Sequence, residues 1–403
     1  MKSTTNPWHI PVIFAVTFII HHLDRNAISL ALPHIAQEFQ WSDREVGQWG
    51  KYLLSVFFLT YGLSQLLLPA TAERFGAKRS LMLSIFGFSV VSILVGPLGG
   101  SLAALITLRL CLGLAESMHV PMMNSIIARH FSPEVRGTAN SIWSVGLIIA
   151  TALGSLIMIP LMGALGWREA FMVVGVAGIV VGLPLVALFV DDKHGQAAGE
   201  MFAAAKAPMP YRREPNYWLF VVIGCFNNFA GWGILGWLPI YFVRAKGVDI
   251  ASLSWALSIV FTAGVLGALL NARIGDVLKK RNLLAAVGLV SAGIVIYLAS
   301  VTQELNALVA LFALALFCQS AYQAQEFATL QKLCKDRNVA SATGTYLGIA
   351  LIVGGVIGSM VPGAIVAATG SFDNALIAIS GGAITAGVLI GWLGLRCGEW
   401  RSN

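Results

Sequence analysis

Residues 109–121 read R-L-C-L-G-L-A-E-S-M-H-V-P, so that Arg109 and Glu116 lie inside a long apolar segment. Asp24 and Arg25 repeat this pattern in the first apolar segment of the chain. An ionisable group at the centre of a bilayer costs roughly 2.5–3.5 kcal/mol on insertion scales, and such groups persist where they face a bundle interior or a water-filled path. The four residues therefore predict a bundle of membrane helices with a polar interior.

The composition also indicates a membrane protein. Of the 403 residues, 57% are hydrophobic and 11% are charged, whereas about 25% of the residues of a soluble domain are charged. The first apolar segment contains Asp24 and Arg25, which suits a signal peptide poorly, and we expect it to be retained as a membrane helix. The cysteines are scattered without metal-ligand spacing or a disulfide framework, at Cys111, Cys225, Cys318, Cys334 and Cys397.

Twelve apolar segments have the length of about 20 residues that a helix needs to cross the hydrocarbon core. They lie near residues 8–32, 47–69, 80–97, 101–127, 137–160, 168–190, 216–243, 252–272, 283–302, 305–331, 341–369 and 374–395. We predict an all-α integral membrane protein with twelve transmembrane helices in two six-helix halves. The N-terminal bundle would span residues 1–190, the cytoplasmic linker residues 191–215 and the C-terminal bundle residues 216–403.

The basic residues predict the orientation of these helices. If the N-terminus is cytoplasmic, 19 Lys and Arg residues lie on the cytoplasmic side and five on the opposite side, in agreement with the positive-inside rule. We therefore predict a multi-pass protein of the inner (plasma) membrane with both termini in the cytoplasm. The net charge of +7 is then a topology signal, because a nucleic-acid site would cluster its basic residues on one soluble face.

The two predicted halves show a weak internal symmetry. After its second helix, each half has an acidic residue followed by a basic cluster, in P-A-T-A-E-R-F-G-A-K-R at 69–79 and A-R-I-G-D-V-L-K-K-R at 272–281. Two six-helix halves with a site between them form a transporter architecture. The alternative is that both loops act only as orientation signals.

The loop at 69–79 resembles the signature of the major facilitator superfamily, with Pro69 and Glu73 where glycine and aspartate are usual. Within that superfamily the chain resembles the anion:cation symporters, which include bacterial galactonate and hexuronate transporters and sialin. The motifs that carry this resemblance are L-D-R-N at 23–26, Y-G-L-S-Q at 61–65, R-x3-G-x2-E-x4-P at 109–121, G-W-R-E-A-F at 166–171 and W-L-P-I-Y at 237–241. The chain departs from the family at Leu147, where a polar residue contacts sugar acids, and in Y-L-G-I-A-L-I at 346–352, which lacks an asparagine.

The resemblance implies that Asp24 and Glu116 carry protons and that Arg25 binds the substrate carboxylate. It also implies that Tyr61 and Gln65 line a sugar-acid site. A substrate carboxylate binds a guanidinium bidentately, so competition for an arginine would release an acid to accept a proton. The alternative is a static pair of salt bridges between two helices.

Helix geometry places the four charges at different depths. Arg109 belongs near the midplane, and Glu116 lies about 10 Å deeper on nearly the same face. We therefore assign Arg109 to the proton-coupling set and expect Glu116 to be its charged neighbour. The same rise puts Asp24 in the outer half of the membrane.

Two histidines lie one helical turn from these charges. His21 precedes Asp24, and His119 follows Glu116. Because imidazole titrates near physiological pH, either histidine could extend a proton path. The alternative is that each is bonded to a backbone carbonyl or a neighbouring side chain.

Polar residues also appear in two helices of the C-terminal half. Gln319, Tyr322, Gln323 and Glu326 follow the i, i+3, i+4, i+7 spacing of one helix face, and we expect this stripe to face a central cavity, with Gln323 and Glu326 binding substrate. Asn228 and Trp232, one turn apart, could offer a hydrogen bond and a stacking face to a sugar-like solute. The alternatives are an interface position for Glu326 and helix packing for the aromatic residues.

These observations predict a proton-coupled secondary transporter that imports a small organic anion, a sugar acid or other carboxylate, by alternating access. The alternative on the same fold is a proton-coupled exporter of drugs or metabolites, although the predicted fifth helix lacks the G-P-x-x-G-G element usual in such antiporters. We expect the protein to act as a monomer in the lipid bilayer, with protons and a carboxylate as its partners.

A sensor or an enzyme is the remaining class. The sequence contains no phosphate loop, nucleophile elbow or metal cluster. We therefore predict that the protein is not an enzyme, has no catalytic residue and binds no cofactor, metal or nucleic acid.

Overall fold

The computed structural model describes residues 7–68, 71–72, 75–191, 213–333 and 339–398. The regular elements of this described part are helices. Its α-helices are α1 (His9–Glu38), α2 (Asp43–Leu67), α3 (Ala77–Leu98), α4 (Leu102–Glu116), α5 (His119–His130), α6 (Pro133–Leu165), α7 (Trp167–Ala177), α8 (Leu183–Phe189), α9 (Pro215–Arg244), α10 (Ile250–Leu278), α11 (Arg281–Val301), α12 (Leu305–Leu333), α13 (Val339–Ile349), α14 (Val356–Thr369) and α15 (Phe372–Arg396). Two π-helical turns, Gly178–Gly182 and Ala350–Gly355, join α7 to α8 and α13 to α14.

The lengths of these helices suit a bilayer. Within the described residues, ten helical segments are long and apolar enough to cross a membrane. Helices α1 and α2 are also long, with 30 and 25 residues, and α1 includes the charged pair Asp24 and Arg25. The all-α membrane fold is therefore confirmed, whereas the total of twelve membrane helices stays a prediction.

Helix α2 begins with a reciprocal cap. The Ser42 backbone N–H donates to Glu45 Oε2 at 2.8 Å, and the Glu45 N–H donates to Ser42 Oγ at 3.4 Å. This is a capping box, which satisfies two backbone donors that a helix start leaves without partners. The hydrogen bonds from Ser42 hold the pKa of Glu45, at the exposed start of the helix, below its usual value.

The described residues divide into two compact units. The first contains the chain up to Ile28, Leu59–Gly154 and the segment from Leu161 through α8. Here α3 packs against α4, α5, α7 and α8. Buried serines line one face of α3, at Ser80, Ser84, Ser89 and Ser92.

The second unit contains Ser29–Phe58, Ser155–Pro160 and the described residues from 213 onwards. One buried hydrophobic cluster joins α9, α12 and α13, and within it the Phe220 ring stacks with those of Tyr322 and Tyr346. The outer part of α2 packs closely on α14.

Two glycines permit that close packing. A Cβ at Gly47 would lie 2.6 Å from the Gly363 carbonyl oxygen, and a Cβ at Gly363 would lie 2.5 Å from the Trp237 ring. Real Cβ atoms do not approach other atoms so closely, so larger residues here would force α2 and α14 apart.

The predicted linker, residues 191–215, lies mostly outside the described part of the chain, as does the Pro69 and Glu73 signature. The division into an N-terminal bundle (1–190) and a C-terminal bundle (216–403) therefore stays a prediction.

Candidate functional site

Glu116 lies at a break between two consecutive helices, α4 and α5. Helix α4 ends at Glu116 and α5 begins at His119. Pro121 has no N–H, so it cannot donate the helical hydrogen bond to the carbonyl four residues earlier. Nearby carbonyls find serine donors instead, because Ser84 Oγ donates to Ala115 O at 2.6 Å and Ser117 Oγ donates to Leu114 O at 2.7 Å. The break is therefore capped by side chains and leaves Glu116 as the last residue of α4.

A buried ion pair forms at this break. Arg25 Nε, from α1, donates to Glu116 Oε2 at 3.0 Å, and the two residues are 8% and 0% exposed. Breaking such a pair costs about 3–5 kcal/mol, because the remaining charge stays buried without compensation. The arginine hydrogen-bonded to Glu116 is thus Arg25. Residues 109 and 116 are two helical turns apart on one helix, whereas Arg25 approaches from the facing helix.

Two polar residues of α2 lie on the Tyr61 side of the Arg25 guanidinium. The Arg25 Cζ atom lies 4.3 Å from the centroid of the Tyr61 ring, within the range of a cation–π interaction. Gln65 Nε2 donates to the Tyr61 hydroxyl at 2.9 Å. The structure therefore brings together Arg25, Glu116, Tyr61 and Gln65, which the sequence had assigned to substrate binding and proton coupling.

Asp24 lies in separate surroundings. Its carboxylate accepts a hydrogen bond from Ser92 Oγ, which lies 2.6 Å from each carboxylate oxygen. Asp24, Ser92 and Arg109 line the same small cavity of about 10 Å³, whose other walls are apolar. The first acid is thus associated with Arg109 and a serine, and the second with Arg25.

The histidines predicted as a relay lie beside Glu116. His21 Nε2 is 3.2 Å from Glu116 Oε2 and 3.4 Å from Arg25 Nη2. His119 Nε2 is 3.2 Å from Thr17 Oγ1, and the centroids of the two imidazole rings are 4.6 Å apart. Both histidines are fully buried. Each is bonded to a neighbour, as the structural alternative predicted, and the neighbour of His21 is the acid itself.

Sequence reasoning missed Ser92 and Thr17. Both are small hydroxyl residues, which occur often in membrane helices. The run of buried serines at three- to five-residue spacing in α3 was a signal that could have indicated Ser92, because a periodic polar face on an apolar helix must find partners. No comparable signal marks Thr17.

A second cluster of predicted substrate residues lies on α9. Trp232 Nε1 donates to Asn228 Oδ1 at 3.2 Å, and Asn228 Nδ2 donates to the Gly224 carbonyl at 2.9 Å. The Trp232 ring lies 4.6 Å from that of Phe58. Both side chains remain partly exposed.

The predicted polar stripe of α12 is only partly open. Gln319 and Tyr322 are 2% and 1% exposed, with Gln319 Nε2 donating to the Asn227 carbonyl at 3.5 Å. Gln323 is exposed and Glu326 is half-buried. Gln319 and Tyr322 are thus buried within the second unit, where Gln319 Nε2 bonds to α9 and the Tyr322 hydroxyl bonds to Tyr346 of α13. A cavity-facing position for the stripe stays a prediction.

Glu326 is held by phenols. The Tyr346 hydroxyl donates to Glu326 Oε1, and the Tyr322 hydroxyl lies 2.8 Å from that of Tyr346. Tyr346 can reach this position because Gly224 faces it, since a Cβ there would lie 2.5 Å from the ring. Among the described residues, no group of three or more His, Cys, Asp or Glu could hold a metal ion.

Comparison with known proteins indicates the family. The model of the Major Facilitator Superfamily matches residues 14–252 and 242–397. A probable sulfoacetate transporter of Cupriavidus necator is 28% identical over 96% of this chain and 94% of its own. The hexuronate transporter of Bacillus subtilis is 25% identical over 94% of this chain and 93% of its own length. A probable L-galactonate transporter of Escherichia coli is 27% identical over 92% of this chain and 85% of its own length.

Solved structures share the fold. A bacterial homolog of the human lysosomal transporter Spinster, in an inward-facing and occupied conformation, aligns with a TM-score of 0.84 at 18% identity, over 97% of this chain and 98% of its own. A D-xylose–proton symporter aligns with a TM-score of 0.77 at 14% identity, over 96% of this chain and 97% of its own. At these identities the likeness concerns the fold alone.

Proposed function

We propose, from the premise that this chain belongs to the Major Facilitator Superfamily, that it imports a small organic anion together with protons. The relatives that span nearly the whole chain are described as transporters of sulfoacetate, hexuronate and L-galactonate, which supports an organic anion as the solute. We place the protein in a bacterial inner membrane as a monomer, with both termini in the cytoplasm, and assign it no enzymatic activity.

The observation that carries the proposal is the buried ion pair between Arg25 and Glu116. A substrate carboxylate that binds the Arg25 guanidinium takes the place of Glu116. The displaced carboxylate would then be buried without a cation, a state that costs several kcal/mol, and it avoids this cost by accepting a proton. Anion binding and proton binding thus favour each other, and this coupling is reciprocal.

Asp24 is the second proton site in this proposal. It shares a cavity with Arg109, and on the proposed orientation it lies nearer to the outside than Glu116. A proton would enter at Asp24 and continue to Glu116. Ser92 keeps the Asp24 carboxylate oriented through its hydrogen bond.

The remaining polar residues would recognise the body of the solute. In the first unit, Tyr61 lies against Arg25 and Gln65 donates to the Tyr61 hydroxyl. In the second, Asn228, Trp232, Gln323 and Glu326 keep exposed polar or aromatic surface. Such groups suit a hydroxylated anion, because each hydroxyl can donate to a carboxylate or amide oxygen and accept from an amide N–H. We therefore propose a sugar acid as the substrate class.

The proposal is tested with purified protein in liposomes and four labelled anions: a hexuronate, L-galactonate, D-glucarate and sulfoacetate. At least one of them should accumulate when the outside is made acidic, and collapse of both the pH gradient and the membrane potential should stop that accumulation. Uptake that is indifferent to this collapse would remove proton symport. Accumulation driven by an outward proton gradient would favour the exporter.

A further inference from the structure

Glu326 is a carboxylate of the second unit that has no cation beside it among the described residues. Its hydrogen-bond partner there is the Tyr346 hydroxyl, which donates to Oε1, and no described residue forms an ion pair with it. The other oxygen, Oε2, has no partner in the same part of the chain, and the side chain is only half-buried. Because acids at membrane depth persist where they face a polar cavity or water, Oε2 is the atom that a solute can reach.

Two phenols fix the bonded oxygen of Glu326. Tyr346 gives its single hydroxyl hydrogen to Glu326 Oε1, so the 2.8 Å hydrogen bond between the Tyr346 and Tyr322 hydroxyls is donated by Tyr322. Both hydrogens thus point towards the carboxylate, and each bond strengthens the next. This order of donors suits an ionised carboxylate, which can accept hydrogen bonds but cannot donate one.

The packing of the two phenols makes this arrangement rigid. Tyr322 and Tyr346 are 1% and 0% exposed, and the centroid of the Phe220 ring lies 6.1 Å and 5.0 Å from the centroids of their rings. Gly224 leaves room for Tyr346, since a Cβ there would lie 2.5 Å from the ring. Three packed rings therefore determine where Oε1 lies, and the carboxylate plane then determines where Oε2 lies.

An ionised carboxylate in this position selects between chemical groups. Oε2 accepts a hydrogen bond from a solute hydroxyl, whereas it repels a second carboxylate or a sulfonate, because like charges brought together away from water cost several-fold to many-fold in affinity. Gln323 lies three residues before Glu326 on the same helix face and is exposed, so its amide N–H can donate to the oxygen of the same hydroxyl. The pair suits an alcohol and not an anionic group.

From this geometry we propose that Glu326 restricts the solute to hydroxylated anions with a single negative charge, and that Tyr322, acting through Tyr346, positions Glu326 for this selection. The inference rests on the proposed transport of a sugar acid and narrows its substrate class. A hexuronate and L-galactonate each carry one carboxylate and several hydroxyls, so they fit. D-Glucarate carries two carboxylates, and sulfoacetate carries a carboxylate and a sulfonate without any hydroxyl, so both are disfavoured.

The test measures the affinities of the same four anions by calorimetric titration of the purified protein. The wild-type protein should bind the hexuronate or L-galactonate at least about tenfold more tightly than D-glucarate and sulfoacetate. Glu326→Gln keeps the shape of the side chain and removes its charge. In this variant the affinities for the two doubly charged anions should rise about tenfold, so that the preference for a single charge is largely lost.

Two further variants test the positioning role and keep the proposal testable if Glu326→Gln does not fold. Tyr322→Phe removes one hydroxyl from the line of phenols, and it should weaken binding of L-galactonate about fivefold, as expected for one hydrogen bond, while binding of sulfoacetate stays unchanged. Tyr217→Phe is the matched control, because Tyr217 is a buried phenol of the same cluster whose hydroxyl donates to the Ala342 carbonyl. It should keep the wild-type order of the four anions.

The outcomes separate this selection from the proposed symport. If the wild-type protein binds D-glucarate or sulfoacetate as tightly as the singly charged anions, or if Glu326→Gln keeps the wild-type preference, selection by the charge of Glu326 is wrong. If Tyr322→Phe weakens binding of all four anions alike, Tyr322 has a structural role only and its positioning role is overturned. Uptake that ignores the proton gradient, in a protein that still prefers singly charged anions, removes the symport and leaves the selection standing. A protein that binds none of the four anions overturns both.

Discussion

Glu116 and Glu326 are both glutamates in apolar helices, but their partners differ. Glu116 is fully buried and bonded to the guanidinium of Arg25. Glu326 is half-buried and bonded to the hydroxyl of Tyr346, behind which lies Tyr322. A carboxylate bonded to a cation responds to any anion that competes for that cation, whereas one bonded to a phenol responds only to hydrogen-bonding partners. We therefore propose a role in proton coupling for Glu116 and a role in solute selection for Glu326.

The energies of the two arrangements point the same way. Removing one member of a buried ion pair costs about 3–5 kcal/mol, while a hydrogen bond from a neutral donor to a carboxylate contributes about 1.5–3 kcal/mol. Changes at Glu116 should therefore alter the transport cycle itself, and changes at Glu326 should alter affinities by smaller factors. The following predictions test this difference, beginning with the largest expected effect.

Glu116→Gln should abolish proton-driven accumulation and preserve exchange. The amide resembles a permanently protonated acid, so the loaded carrier can still reorient but cannot release its proton. The change also leaves Arg25 without its carboxylate, which could destabilise the protein by about 3–5 kcal/mol. Folding is checked first by monodispersity in detergent. A well-folded variant that still concentrates the anion against its gradient would show that Glu116 is only a structural partner of Arg25.

Arg25→Lys should weaken binding of the transported anion about tenfold or more, although the charge is kept. An ammonium is a point charge and cannot form the two parallel hydrogen bonds of a guanidinium with a carboxylate. Ligand-induced thermal shifts with the four anions measure the change. Arg109→Lys is the matched comparison, because Arg109 borders the Asp24 cavity and is expected to affect coupling more than binding. Wild-type affinity in Arg25→Lys would place carboxylate recognition elsewhere.

Ser92→Ala should slow proton-driven uptake several-fold, since Asp24 loses a hydrogen bond worth about 1.5–3 kcal/mol to a charged group. Ser92→Thr, which keeps the hydroxyl, should be closer to wild type. Initial rates of net uptake, compared with rates of exchange, provide the measurement. Equal rates in Ser92→Ala and wild type would mean that the serine does not position Asp24 for its role.

Glu326→Gln should change the order of preference among the four anions and leave proton dependence intact. Tyr346→Phe removes only the phenol that holds Glu326, and it should change affinity about tenfold, because a hydrogen bond to a charged group contributes about 1.5–3 kcal/mol. Competition of unlabelled anions against labelled uptake measures both variants. If Glu326→Gln loses proton dependence while its affinities stay unchanged, Glu326 takes part in proton coupling, and the proposed difference between Glu326 and Glu116 is wrong.

Much of the fold could be predicted because membrane insertion depends on local composition. A run of about 20 apolar residues specifies a spanning helix wherever it occurs, so the ten apolar helical segments of the described structure all correspond to predicted segments. The charges of Asp24, Arg25, Arg109 and Glu116 were conspicuous for the same reason, since each contradicts its apolar surroundings. The break after Glu116 also has a local cause, the missing N–H of Pro121.

What each of these residues contacts was decided only by the tertiary structure. Helix periodicity shows which residues share a face but not which face of another helix lies opposite, because that depends on the rotation and approach of two helices far apart in sequence. The structure therefore paired Glu116 with Arg25, across 91 positions of sequence, where reasoning along one helix had favoured Arg109. It also joined His21 to His119 and brought Ser92 to Asp24 for the same reason. The sequence by itself determined that charges must lie inside this bundle, whereas the packing of its helices determined their partners.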